Sequence, residues 1–89
     1  MPKLDARLVD PRDSHWELWH PAYRVSLWTR SGHAWVSREF EIDAADVNDV
    51  LDWIRQQGDA ETFTLYAVVD QGEDRGLVRL AGSDPTRGA

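Results

Sequence analysis

Residues 22–42 read AYRVSLWTRSGHAWVSREFEI. Two alternating stretches flank Ser31 and Gly32, and a two-residue turn at that dipeptide predicts a β-hairpin. The implied register sets Arg24 opposite Glu39, Tyr23 opposite Phe40, Leu27 opposite Val36 and Trp28 opposite Trp35. Opposite-charge, aromatic and aliphatic cross-strand pairs of this kind are each worth ~0.2–1 kcal/mol. Because side chains alternate across a sheet, Tyr23, Val25, Leu27, Val36 and Phe40 share one face. Trp28 and Trp35 fall on the other, among Arg24, Ser26, Ser37, Glu39 and Glu41. That face is polar except for the two largest apolar side chains of the hairpin.

Downstream, Asp43 predicts an N-cap, with Asp46 three residues on where a carboxylate suits the exposed amides of a helix start. Ile42 and Val47 are placed to close as a hydrophobic staple. Val47, Val50, Leu51 and Ile54 recur at helical spacing, and Arg55 and Gly58 supply stop signals. The spacing predicts a helix over residues 44–57. Residues 62–70 alternate and are rich in strand formers, and residues 77–82 form a second strand after a polar loop from Gln71 to Gly76. Pairing Asp70 with Leu77 sets Val69 opposite Val78 and Ala67 opposite Leu80, with Phe63 and Leu65 on that face. Thr64, Tyr66, Val68, Leu77, Arg79 and Ala81 share the opposite face.

The order is ββαββ, which predicts a two-layer α+β domain with one helix on one face of a four-stranded, mainly antiparallel sheet. Strand order 2-1-3-4 is preferred to 1-2-3-4 because antiparallel neighbours are commoner. Eighty-nine residues suffice for one such domain and little more. Residues 1–15, with Leu4, Leu8 and Val9 before Pro11, read as an N-terminal arm or a short edge strand. Pro21 confines any strand at residues 16–20 to an edge or a bulge. Residues 83–89 read as a flexible tail.

Composition narrows function mainly by exclusion. A net charge of −6 argues against a nucleic-acid backbone as ligand. The arginine bias, nine of ten basic residues, fits a GC-rich genome, Lys3 being the one lysine. The chain holds no cysteine, so thiolate metal sites and thiol catalysis are ruled out. No apolar run has the length of a membrane span and no secretory leader is recognisable, so the expected location is the cytoplasm. No phosphate-binding, dinucleotide or nucleophile motif occurs, and no pair of carboxylates is set apart in an apolar stretch as general acid–base chemistry requires. The expectation is a non-enzymatic protein without a cofactor.

In the 2-1-3-4 order the uncovered sheet face brings Trp28 and Trp35 towards Tyr66, Val68 and Leu77, with Arg79 alongside. A contiguous apolar patch of that kind usually marks a partner site. A second copy is the simplest partner, because a two-fold interface needs only one patch. A cover formed by Trp16 and Trp19 of the N-terminal arm is the structural alternative. The same residues also suit a small-ligand binder, with Trp28, Trp35 and Tyr66 as a stacking platform and Arg24 or Arg79 fixing orientation. A third reading makes Asp46, Asp49, Asp52 and Asp59 an acidic stripe for a basic protein partner, as in an inhibitor or immunity-like protein. A solvated helix face with an Asp52–Arg55 pair is its plainer account. His33 at the hairpin tip lies too far from His20 for the three histidines, His15 included, to converge on zinc. Arg38 shares the core-facing side, where a charge must snorkel to water or meet a carboxylate such as Asp46 or Asp49.

Overall fold

The computed structural model describes residues 4–13, 21–43 and 46–87. Four strands, β1 (Ala22–Ser31), β2 (Ala34–Asp43), β3 (Thr62–Gln71) and β4 (Asp74–Gly82), and one helix, α1 (Val47–Arg55), follow in the order ββαββ. The sheet runs β2-β1-β3-β4 and every neighbour pair is antiparallel. This is the expected α+β fold. The expectations for residues 14–20, including Trp16, Trp19, His15 and His20, lie outside the described residues.

Both hairpins turn on two residues, and both are tighter or later than the sequence pattern suggests. The first turn is Gly32-His33, flanked by the pair Ser31↔Ala34. Gly32 has φ +63 while His33 stays at negative φ, the pattern of a type II′ turn, which wants glycine first. A Ser31-Gly32 turn would put that glycine second. The strands therefore slide by two residues from the expected register. Trp28 lies opposite Ser37, Trp35 opposite Arg30, and Arg24 opposite Glu41. A slide of two keeps every side chain on its face; a slide of one would have inverted them all. The expected Trp28–Trp35 pair is thus replaced by Arg30, whose guanidinium sits over the Trp35 ring at 5.3 Å.

The second hairpin repeats the device. Gly72 has φ +64 and Gln71 pairs with Asp74, so β4 begins at Asp74 and the six-residue loop is really two residues. Val68, not Asp70, lies opposite Leu77. The register then shifts between Leu65 and Tyr66, leaving Leu80 as the extra residue of a bulge. The bulge brings Ala81 opposite Leu65 and against the core, the face opposite to the one expected.

Tyr23, Val25, Leu27 and Leu65 on the sheet meet Val50 and Ile54 on α1 to form the core. Phe40 packs edge-on against Trp53, with ring centroids 5.0 Å apart. The helix is shorter than residues 44–57, and its cap is Asp46, not Asp43. Asp43 still pairs with Ala22 as the last residue of β2, so its backbone is committed to the ladder. The Asp46 carboxylate instead accepts the Asn48 N–H at 2.7 Å. Gly58 makes no left-handed cap either. The helix closes when the N–H groups of Gln56 and Gln57 fold back on Trp53 and Ile54, while the Gln57 side chain donates to the Trp53 carbonyl. Nine helical residues span only about 14 Å, against about 33 Å for a ten-residue strand. One short helix covers part of one face and no more.

Gly82 is the tightest point of the backbone. It has φ +84, and a Cβ there would strike the Phe63 carbonyl oxygen. Replacing Gly82 by Ala combines left-handed strain with a backbone clash, and should cost about 2 kcal/mol or more in chemical denaturation.

Candidate functional site

The face away from α1 is built from alternate residues of all four strands: Glu39 and Glu41 of β2, Arg24, Ser26 and Trp28 of β1, Thr64, Tyr66 and Val68 of β3, and Arg75, Leu77 and Arg79 of β4. Trp28 is pressed into this face, with only 9% of its surface exposed. Its indole N–H donates to the Thr64 hydroxyl at 3.0 Å, and that hydroxyl donates to the Ser83 carbonyl at 2.7 Å. Thr64 is fully buried, and the relay satisfies it. Ser83 also donates its N–H to the Phe63 carbonyl, so the chain after β4 is stitched to β3 from both sides. Beyond it, Asp84 caps a turn by accepting from the Thr86 N–H and hydroxyl.

That turn converts a flat sheet face into an open concavity of about 510 Å³. Trp28, Tyr66 and Leu77 supply apolar surface. Glu39 and Asp84 bring negative charge to the walls, and Arg79 and Arg87 bring positive charge. Ser26 lies beneath, its hydroxyl donating to Glu39 at 2.8 Å.

A second charged group crosses the same face nearer the β3–β4 turn. Arg75 reaches from β4 to Glu41 of β2 at 2.6 Å, with Arg24 at 3.8 Å from the same carboxylate and Asp70 at 3.5 Å from the Arg75 Nε. The hydrogen bond from Arg75 holds the Glu41 carboxyl below its ordinary range, and the Thr86 hydroxyl does the same for Asp84.

Of the six residues expected at an interface, Trp28, Tyr66, Val68, Leu77 and Arg79 lie on neighbouring strands of this face. Trp28 and Val68 are themselves buried, so Tyr66 and Leu77 carry more of its accessible apolar surface. Trp35 lies on the same face but apart from the concavity, half-buried under Arg30. The sequence does not mark Asp84 and Arg87, because nothing in the segment 83–87 signals a turn packed on the sheet except Asp84 two residues before Thr86.

The remaining candidates resolve into local roles. Arg38 reaches water and meets Asp59 with both carboxylate oxygens at 3.0 Å, not Asp46 or Asp49. Asp52 pairs with Arg55 at 2.6 Å. Asp46, Asp52 and Asp59 of the acidic stripe are thus already engaged within the chain. His33 occupies the first hairpin turn. No described helix is long and apolar enough to cross a membrane. Comparison of the chain with protein-family models, with curated proteins and with solved structures finds no match.

Thr64→Val should strand the Trp28 indole N–H and cost ~1–3 kcal/mol in thermal denaturation, with a change in tryptophan emission reporting the altered site. A second expectation concerns pH. The carboxyls of Glu41 and Asp84 titrate lower in the folded chain than in an unfolded one. Their contribution is therefore fully present above the ordinary carboxylate range and is lost as pH falls through the depressed folded values. Glu41→Gln should lower the neutral plateau of a stability–pH curve slightly and flatten its acid limb by the same small amount, because the exposed pair is weak.

Proposed function

We propose that this chain is a non-enzymatic interaction module that binds through the open face of its sheet. The observation that carries this reading is the concavity floored by Trp28, Tyr66 and Leu77 and walled by charges of both signs. Leu77 is 45% exposed there, and the tyrosine and arginine beside it are residue types in which interfaces concentrate their energy. Nothing on this face isolates a carboxylate or nucleophile in an apolar setting, and Arg24 and Arg75 are matched with Glu41 and Asp70. Self-association is the simplest use of the face. Trp35 under Arg30, at the far corner of the face from Leu77, would then form a separate outlying contact.

The concavity also favours a second reading, a small planar ligand carrying charges of both signs. Its apolar floor would take the ring, and Arg79 and Asp84 would take opposite charges of the ligand. The two readings part in solution. Self-association through the face makes sedimentation depend on concentration, and Tyr66→Ala with Trp35→Ala should weaken it by about tenfold or more. A chain that stays monomeric at high concentration, yet shifts its tryptophan emission with an aromatic zwitterion, supports the ligand. A monomer indifferent to such compounds removes both.

A further inference from the structure

Residues 4–10 of the N-terminal arm and the free edge of β4 are complementary, and they do not meet within one chain. Residues 4–10 form no strand, and Leu8 is fully exposed, with Leu4 at 84% and Val9 at 55%. Three large aliphatic side chains on one short segment are costly to leave in water. Alternation divides the segment into Leu4, Ala6 and Leu8 on one side and Asp5, Arg7 and Val9 on the other. That is the pattern of a half-buried strand lacking its sheet.

The edge of β4 is the matching half. Among the described residues its outer backbone groups have no neighbouring strand, and α1 leaves its apolar side chains exposed. Val78 is 52% exposed on the helix side, and Leu80 is 49% exposed at the bulge. Below them, Val69, Asp74, Arg75 and Gly76 line a hollow of about 280 Å³, and Gly76 has open space where a side chain would stand. An exposed apolar edge of this kind is a template for another strand.

We propose that the arm of a second copy adds as a fifth strand to this edge, each chain giving its arm to the other about a two-fold axis. One antiparallel register satisfies the whole pattern. Asp5 lies opposite Arg79, which has no ion pair among the described residues. Ala6 then lies opposite Val78, Leu4 beside Leu80, and Leu8 opposite Gly76, where its side chain enters the hollow. Arg7 and Val9 fall on the open-face side, next to Leu77 and Arg75. Pro11 ends the added strand, since it has no N–H to continue the ladder. Strand addition supplies affinity through backbone hydrogen bonds and specificity through the side-chain pockets, and reciprocal exchange of an arm is a low-cost route to a dimer. The occupant is a second copy because Leu8 is fully exposed and packs on no described element of its own chain.

The absence of cysteine makes the test direct. Residues directly opposite in an antiparallel pair have Cβ atoms about 4.5–5.5 Å apart, within reach of a disulfide after small adjustment. Chains carrying Ala6→Cys alone are mixed with chains carrying Val78→Cys alone and oxidised gently. Disulfide-linked heterodimers should outnumber both linked homodimers several-fold. Leu8→Asp in the otherwise unaltered chain should weaken the dimer by tenfold or more in sedimentation, while Tyr66→Ala with Trp35→Ala leaves the cross-link yield unchanged. Those last two substitutions separate the edge from the open face. Random cross-linking in the mixture overturns the proposal. So does an intrachain disulfide in the double variant Ala6→Cys/Val78→Cys at low concentration, which would mean that the arm folds onto its own sheet. A chain that sediments as a monomer with and without Leu8→Asp overturns it as well.

Discussion

The hydrogen bond from the Trp28 indole to the Thr64 hydroxyl, relayed to the Ser83 carbonyl, holds together the side of the sheet that the helix cannot reach. An indole buried without a partner for its N–H is expensive, and a fully buried threonine hydroxyl has the same need. One three-membered relay meets both needs and pins the chain after β4 onto β3. The close approach at Gly82 makes that possible, because any side chain there would strike the Phe63 carbonyl. Without the relay Trp28 would lie against a flat sheet. With it, Asp84 and Arg87 are carried over the sheet and a concavity results.

The shortage of helix explains the rest of the surface. A nine-residue helix protects the centre of one face, where Val25, Leu27, Val50 and Leu65 are all but inaccessible. The opposite face has no second layer among the described residues, and it is held by a charge network of Arg24, Arg75, Glu41 and Asp70. These exposed ion pairs add little stability individually. They do set the chemistry of the face, because they match its charges locally and leave Leu77, Tyr66 and Arg79 as the groups with capacity to spare. Among the described residues the far edge, β4, is protected by its bulge and its arginines alone. It is there that the apolar arm finds a counterpart.

The type and order of the elements followed from the sequence alone, because they rest on short-range rules. Alternation at Tyr23, Val25 and Leu27 and helical spacing at Val47, Val50 and Ile54 assign each residue to a face whatever the register. The antiparallel preference between neighbours then favoured the order β2-β1-β3-β4 over β1-β2-β3-β4, and the folded chain takes it. The slide of each hairpin by two residues left every side chain before the bulge on its expected face. Five of the six site residues were placed together for the same reason, as members of one face on adjoining strands; Trp35 stands apart on β2.

Tertiary structure decided what depends on a single backbone dihedral or on a long-range partner. The turns at Gly32 and Gly72 chose glycine's left-handed conformation for their first position, and that choice, not side-chain pairing, set which residues lie opposite. The same choice dissolved the Trp28–Trp35 pair and gave Trp35 to Arg30. The bulge at Leu80 turned Ala81 inward, a local event that alternation does not encode. Asp43 lost the cap to Asp46 because the β2 ladder had already claimed its backbone. The fold needs only the side-chain pattern along the chain. The site needs three hydrogen bonds between residues far apart in it, and only the folded chain brings those together.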